Sequence, residues 1–220
     1  MEARIGNYRL LSYVGKDPLV IHNPPTKEEI DATLDELVLI LGLDSKWVLT
    51  GGLVVPITRG EFYRKHGDVD IGIGQDDLAG MVENARASNY IFVSRIMVSN
   101  VPFTTERVVF YKDIRPREAI ARRPKHLRLL RVDAQNRHNP RKDFLDYIDV
   151  YVHRFENGRL ITNDTEDAFP SHYNDGGYYI TSSGNPIPMR SLTYIGAMKK
   201  ARMKNRDVVD LKVMGNLQVK

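Results

Sequence analysis

"RKHGDVDIGI", residues 64–73, places two aspartates one residue apart in a stretch that alternates polar and apolar side chains. Alternation with period two reads as a strand, so Asp68 and Asp70 project to the same face, about 7 Å apart along the chain at a rise of ~3.3 Å per residue. Two like charges so placed disfavour folding unless something positive stands between them. A hard divalent cation such as Mg²⁺ or Mn²⁺, which prefers carboxylate oxygen, supplies that charge, and the pair reads as a metal clamp. The alternative is a pair of acids at a strand end, each accepting from nearby loop amides.

The elements on either side extend the pattern. Upstream, "WVLT" reads as a short apolar strand that runs into Gly51 and Gly52, followed by "LVVPITRG" as a short helix with Pro56 near its first turn. A glycine pair after a strand lets backbone N–H groups approach a phosphate, and a helix start beyond it adds a favourable dipole, so the turn could hold a triphosphate; an ordinary tight turn is the plainer reading. Between turn and acids lie Arg64, whose guanidinium can fork onto phosphate, and His66, whose charge its neighbours can tune. Downstream, "GQDDLAGMVENARASNY" predicts a helix with Asp76 as N-cap and Leu78, Met81, Val82 and Ala85 on its apolar face.

The remaining elements point to one mixed domain. Thr26 and Glu29 form a capping-box pattern opening a helix that carries Ile30, Leu34, Leu37 and Leu41 at helical spacing and stops at Gly42. "YIFVSRIMV", "RVVFY", "LRLLRV" and "FLDYIDVYVHRF" read as strands, with "ENG" as a turn before "RLIT". Near the end, "IPMRSLTYIGAMKKARMKNRDVVDLKVM" reads as a helix, a polar interruption near Lys204 and Asn205, and a second helix. Interleaving without a strict βαβ rhythm predicts an α+β fold, a mixed, mainly antiparallel sheet with helices packed on it.

Composition bounds the rest. With 220 residues, 42% of them hydrophobic, the chain can bury one substantial core. The absence of cysteine excludes disulfides and thiolate metal sites and suits a reducing, cytoplasmic setting. "MEARIGNYRLLSYVG" does not read as a signal peptide, and the longest apolar run, "LVLILGL", is too short to cross a bilayer. The net charge of +4 is uneven: residues 112–142 hold 11 Lys/Arg against 3 Asp/Glu. That patch could meet phosphates or serve as a solvated surface.

The ordered set of strand, "GG", "RKHGDVDI" and "DDL" opening a helix resembles the nucleotidyltransferases of the DNA polymerase beta superfamily, in particular the lincosamide and aminoglycoside nucleotidyltransferases and those of toxin/antitoxin systems. The R-x-H-x-D-x-D form, seen as Arg64, His66, Asp68 and Asp70, makes the likeness more specific than a bare pair of acids. The resemblance covers about residues 47–87, 144–154 and 186–215 and implies a nucleotidyltransferase fold; with no repeat or linker in the chain, residues 1–220 read as a single such domain, with an N-terminal extension at 1–25, a basic insertion at about 112–142 and C-terminal helices at about 190–215. It implies that Gly51 and Gly52 bind the nucleotide phosphates and that Asp68 and Asp70 bind two divalent ions. A third carboxylate is implied on a later strand, where "FLDYIDVYVH" offers Asp149 as the choice and Asp146, nearer the strand's start, as the alternative. Lys199 shares the inward side of its helix with Leu192, Ile195 and Met198 and could reach a phosphate, whereas Arg206, Asp207 and Asp210 read as a charge network.

By that resemblance Asp68, Asp70 and Asp149 are the catalytic and metal-binding set, and Gly51, Gly52, Arg64, His66 and Lys199 the nucleotide-binding set. The implied reaction moves a nucleotidyl group from a nucleoside triphosphate to an acceptor hydroxyl with release of pyrophosphate, using Mg²⁺ or Mn²⁺. Acceptors open at this point are a small hydroxylated molecule, a tRNA end or a protein hydroxyl, with an antitoxin as a possible partner and no membrane involvement. The competing expectation is a non-catalytic nucleic-acid-binding protein that uses residues 112–142; a third is a degenerate relative that binds nucleotide without transferring it.

Overall fold

The computed structural model describes residues 2–5, 8–13, 25–42, 46–64, 66, 68–98, 107–122, 124–137, 139, 148–156, 159–161, 171–172 and 174–217. Its strands are β1 (Glu2–Ile5), β2 (Tyr8–Tyr13), β3 (Trp47–Thr50), β4 (Val69–Gly74), β5 (Tyr90–Val98), β6 (Arg107–Asp113), β7 (His126–Arg131), β8 (Ile148–Glu156), β9 (Arg159–Ile161), β10 (Ser171–His172), β11 (Tyr178–Ile180) and β12 (Pro186–Pro188). Its helices are α1 (Lys27–Leu41), α2 (Val54–Arg59), α3 (Leu78–Ala87), α4 (Pro116–Arg122), α5 (Leu192–Arg202) and α6 (Asn205–Leu217). The main sheet runs β1-β2-β6-β5-β7-β8-β4-β3, with β9 and β10 continuing from β8. Every pairing along it is antiparallel except β4 with β8, which is parallel. The fold is α+β, as the element pattern predicts.

Period-two alternation gives the sheet two different faces. Val69, Ile71 and Ile73 of β4, with Ile148, Val150 and Val152 of β8, join the apolar stripes of α1 and α3 in the main core. The opposite face carries Asp70 and Asp149, along with a smaller cluster of Ile91, Val93, Tyr111, Leu130 and Val132.

Local signals set most helix ends. Thr26 and Glu29 close the capping box in both directions, and Gly42 ends α1 at φ 83°. Gly51–Leu53 form a 3₁₀ turn that leads into α2, where Pro56 lies in the first turn and its missing N–H costs little. The N-cap of α3 differs from the sequence expectation: Asp77, not Asp76, holds that position and makes no side-chain cap bond. Residues 75–77 form a turn, in which Gln75 N–H donates to the His153 carbonyl at 2.7 Å, and this tie to β8 sets where the helix starts.

The N-terminal stretch contributes the β1–β2 hairpin, which extends the sheet edge through β6. The basic segment supplies the end of β6, α4 and the interior strand β7, and it buries two of its cations, Lys112 and Arg128. Of the expected turn at 156–158, residues 157 and 158 lie outside the described residues, as does Asp146; β8 and β9 pair antiparallel, with Glu156 opposite Arg159. Among the described residues no helix is long and apolar enough to cross a membrane.

The β11–β12 hairpin is fastened to α1. Asp31 accepts from the Ser182 N–H at 2.9 Å and the Tyr179 hydroxyl at 2.5 Å, while Asp35 accepts from Thr181 at 2.6 Å and Asn185 at 2.8 Å. Arg190 N–H then donates to the Leu49 carbonyl at 3.0 Å, which carries the chain to the Ser191 cap of α5 beside the end of β3.

Candidate active site

Three acids meet where β4 and β8 run parallel. Their register pairs Asp70 with Asp149, and Asp68 precedes β4 on the same face as Asp70. One carboxylate oxygen from each lies within 4.8 Å of the other two. All three residues are half-buried. Burial pushes the Asp68 carboxyl above its ordinary range; nearby Arg206 opposes the rise and the Asp149 charge adds to it. Hard oxygen donors at this spacing, with one acid reluctant to ionise beside another, fit a divalent cation such as Mg²⁺ or Mn²⁺.

Asp149, the acid expected on "FLDYIDVYVH", is held from the side by a residue that the sequence reading did not single out. Arg128 on β7 stands opposite Asp149 in the antiparallel register, is 2% exposed, and donates Nε–H to Asp149 Oδ1 at 2.9 Å and Nη1–H to the Tyr111 hydroxyl at 2.9 Å. His126, two residues earlier on β7, brings Nε2 within 3.6 Å of the same carboxylate oxygen. The only hint in the sequence is alternation in "HLRLLR", which puts His126 and Arg128 on one face without saying what they face.

The glycine turn sits against the acids. Gly51 has φ +71°, follows Thr50, which pairs with Asp70, and leaves no room for a Cβ because the Asp70 side chain occupies that space. A Cβ on Gly52 would collide with the Arg64 guanidinium. A side chain is therefore excluded at 51 by Asp70, and one at 52 would displace the end of the Arg64 side chain.

Arg64 and Lys199 both reach the cleft, and both are already engaged. Asp210 of α6, fully buried, accepts from Arg64 Nε at 2.7 Å and Nη2 at 2.8 Å, from the Tyr63 hydroxyl at 2.7 Å and from Lys199 Nζ at 2.6 Å. Lys199 Nζ also donates to Asp207 at 3.2 Å. Burial alone would raise the Asp210 carboxyl, but the bonds from Arg64, Lys199 and Tyr63 outweigh it and bring it down to about 2. Thus Asp207 and Asp210 do form a charge network, and it ties the arm before the acids to the C-terminal helices.

His66 lies apart from that surface. It is 2% exposed, it is not among the residues lining the cleft, and its Nε2 has no hydrogen-bond partner among the described residues. Burial, reinforced by the Arg64 charge, lowers its pKa to about 3, so it is neutral at physiological pH.

Asp68, Asp70, the glycine turn, Arg64 and Lys199 border a cleft of about 370 Å³, with Asp149 just behind the two acids. Its lining includes Thr50, Gly51, Gly52, Asp68 and Asp70, then Lys125, Tyr151 and His153, and Tyr194, Ile195, Met198 and Lys199 of α5. A three-carboxylate cluster beside a side-chain-free turn, with Arg64, Lys199 and Arg206 at its margin, can hold a cation and a polyphosphate together.

No protein-family profile matches the chain, and no curated protein matches it. Among solved structures it is similar to the lincosamide antibiotic adenylyltransferase LnuA in its lincomycin-bound form, at 15% identity and a TM-score of 0.49 over 88% of this chain and 98% of that one. It is also similar to an antigenic nucleotidyltransferase-like protein from Paracoccidioides brasiliensis, at 14% identity and a TM-score of 0.48 over 89% of this chain and 79% of the other.

Proposed function

We propose that this chain is a divalent-cation-dependent nucleotidyltransferase that transfers a nucleotidyl group from a nucleoside triphosphate to an acceptor hydroxyl. The observation that carries this reading is the convergence of Asp68, Asp70 and Asp149 within 4.8 Å beside the Gly51–Gly52 turn. When bound, a pair of Mg²⁺ or Mn²⁺ ions supplies charge stabilisation on both sides of the reacting phosphorus. The residues placed to hold them are Asp68, Asp70 and Asp149.

The chain's own part is positioning and charge. Gly51 and Gly52 let backbone N–H groups approach the β- and γ-phosphates, and Arg206 and Lys199 add positive charge at the cleft margin. Asp149 lies across β4 from the turn, faces the acceptor hydroxyl and takes its proton. The hydroxyl oxygen bonds to the α-phosphorus, the bond from that phosphorus to the bridging oxygen breaks, and pyrophosphate leaves. Arg128 holds Asp149 in place from the adjacent strand.

Incubation with α-labelled nucleoside triphosphates, Mg²⁺ and fractionated cellular RNA, protein and metabolites tests the reading. The parent is expected to label one fraction and release pyrophosphate, while Asp70→Asn and Asp149→Asn, folded by circular dichroism, lose at least a hundredfold in rate. Nucleic-acid retention that needs neither Mg²⁺ nor Asp68, without label transfer, would replace the enzyme with the binding protein.

A further inference from the structure

The glycine turn and the third acid flank β4 on opposite edges: β3, which leads into Gly51, pairs on one side and β8, which carries Asp149, on the other. In an in-line displacement the attacking oxygen stands opposite the leaving group. With pyrophosphate held at the turn, the acceptor must approach from the flank of β8 and β7.

That flank is a ladder of rings. Tyr151 and His153 follow Asp149 on the same face of β8 and line the cleft, with ring planes 13° apart and centroids 6.5 Å apart. His126, the cross-strand partner of Tyr151, props it at 5.0 Å and a 40° tilt. On β4 the residues paired with the two rings are Gly72 and Gly74, so no side chain of β4 fills the space beside them. A Cβ on Gly72 would come to 3.0 and 3.1 Å from the His153 ring, so the ring would have to give by a few tenths of an ångström. Exposed Lys125 also lines the cleft, its carbonyl accepting at 2.9 Å from the N–H of Val152, the residue between the two rings.

We infer that this flank is the acceptor subsite and that its occupant is a nucleotide unit: its base stacks on the Tyr151–His153 rings, its phosphate meets Lys125, and its ribose hydroxyl reaches Asp149. Base and hydroxyl positions are two residues apart on β8, about 7 Å, which is within the span of one nucleoside. Stacking accepts any base, because each presents a π-face, while Lys125, which lines the cleft with the rings, favours an anionic acceptor over a neutral sugar or a peptide hydroxyl. A free mononucleotide and the terminal residue of an RNA strand share this chemistry. The inference rests on the transfer reaction proposed above.

Steady-state kinetics with α-labelled nucleoside triphosphate and Mg²⁺ test it, using a nucleoside monophosphate in one arm and a short oligoribonucleotide in the other. Tyr151→Leu is expected to raise the KM of the acceptor roughly tenfold or more with the KM of the triphosphate nearly unmoved, and Tyr151→Phe, which keeps a ring, to restore it. Thermal melting of both variants checks the fold. An RNA end as the source shows labelled oligonucleotide and an acceptor KM that rises steeply with salt; a free nucleotide shows small labelled product and a shallow salt response. A raised KM for the triphosphate instead, or equal acceptor KM in parent and Tyr151→Leu, or label passing only to neutral sugars or protein, overturns the inference while leaving transfer itself intact. No pyrophosphate release by the parent with any acceptor would remove the reaction beneath it.

Discussion

At Asp210 a single carboxylate receives four hydrogen bonds from three side chains, and two of those side chains, Arg64 and Lys199, border the cleft. A buried charge this well matched stabilises the arrangement only while every partner is present. His66, by contrast, is buried neutral, with its pKa near 3 against an ordinary 6.5. Between those values the unfolded chain binds a proton that the folded chain does not. The His66 contribution is therefore complete above pH 6.5 and falls as pH drops toward 3, by up to about 1.4 kcal/mol per pH unit. Denaturant unfolding at pH 7, 5.5 and 4.5 is expected to show that decline in the parent and a flatter profile in His66→Gln; parallel profiles would contradict the burial of a neutral imidazole.

On the scale of single elements, the turn between β3 and α2 is constrained twice, by backbone angle and by the neighbouring strand. Gly51 at φ +71° and Gly60 at φ +73° both occupy the left-handed region, but a Cβ at 60 would meet nothing within 4 Å, whereas one at 51 would overlap Asp70. Alanine at either position is expected to cost ~1 kcal/mol of stability through backbone strain. Only Gly51→Ala should also displace Asp70 and lower kcat at least tenfold; equal kcat in the two variants would show that the turn does not govern the acid. The elements themselves were legible where one local rule decided them. The Thr26–Glu29 box and Gly42 bound α1, and alternation located β4, β5, β6, β7 and β8 within a few residues. The α3 cap was not, because two adjacent aspartates satisfy the same rule and a backbone tie from Gln75 to His153 chose between them.

For the molecule as a whole, three carboxylates brought within 4.8 Å of one another oppose folding in the absence of a cation, so binding one should stabilise the entire domain. Differential scanning fluorimetry is expected to show the melting temperature of the parent rising with Mg²⁺ or Mn²⁺, and a much smaller rise for Asp70→Asn; identical shifts would place the bound ion elsewhere. The sequence by itself determined the α+β class and the position of Asp68 and Asp70 on one face, since both follow from the period of a strand and from residue type; the candidacy of Asp149, with Asp146 as its alternative, came from the family resemblance. Only the tertiary structure decided that β4 and β8 lie parallel with Asp70 beside Asp149, that Arg128 faces that acid, that Arg64 and Lys199 share Asp210, and that His66 is enclosed. Those facts depend on which strands pair, in which register, and on how helices close over the sheet, and such long-range choices minimise the energy of the whole packed chain without leaving a mark on any short stretch of it.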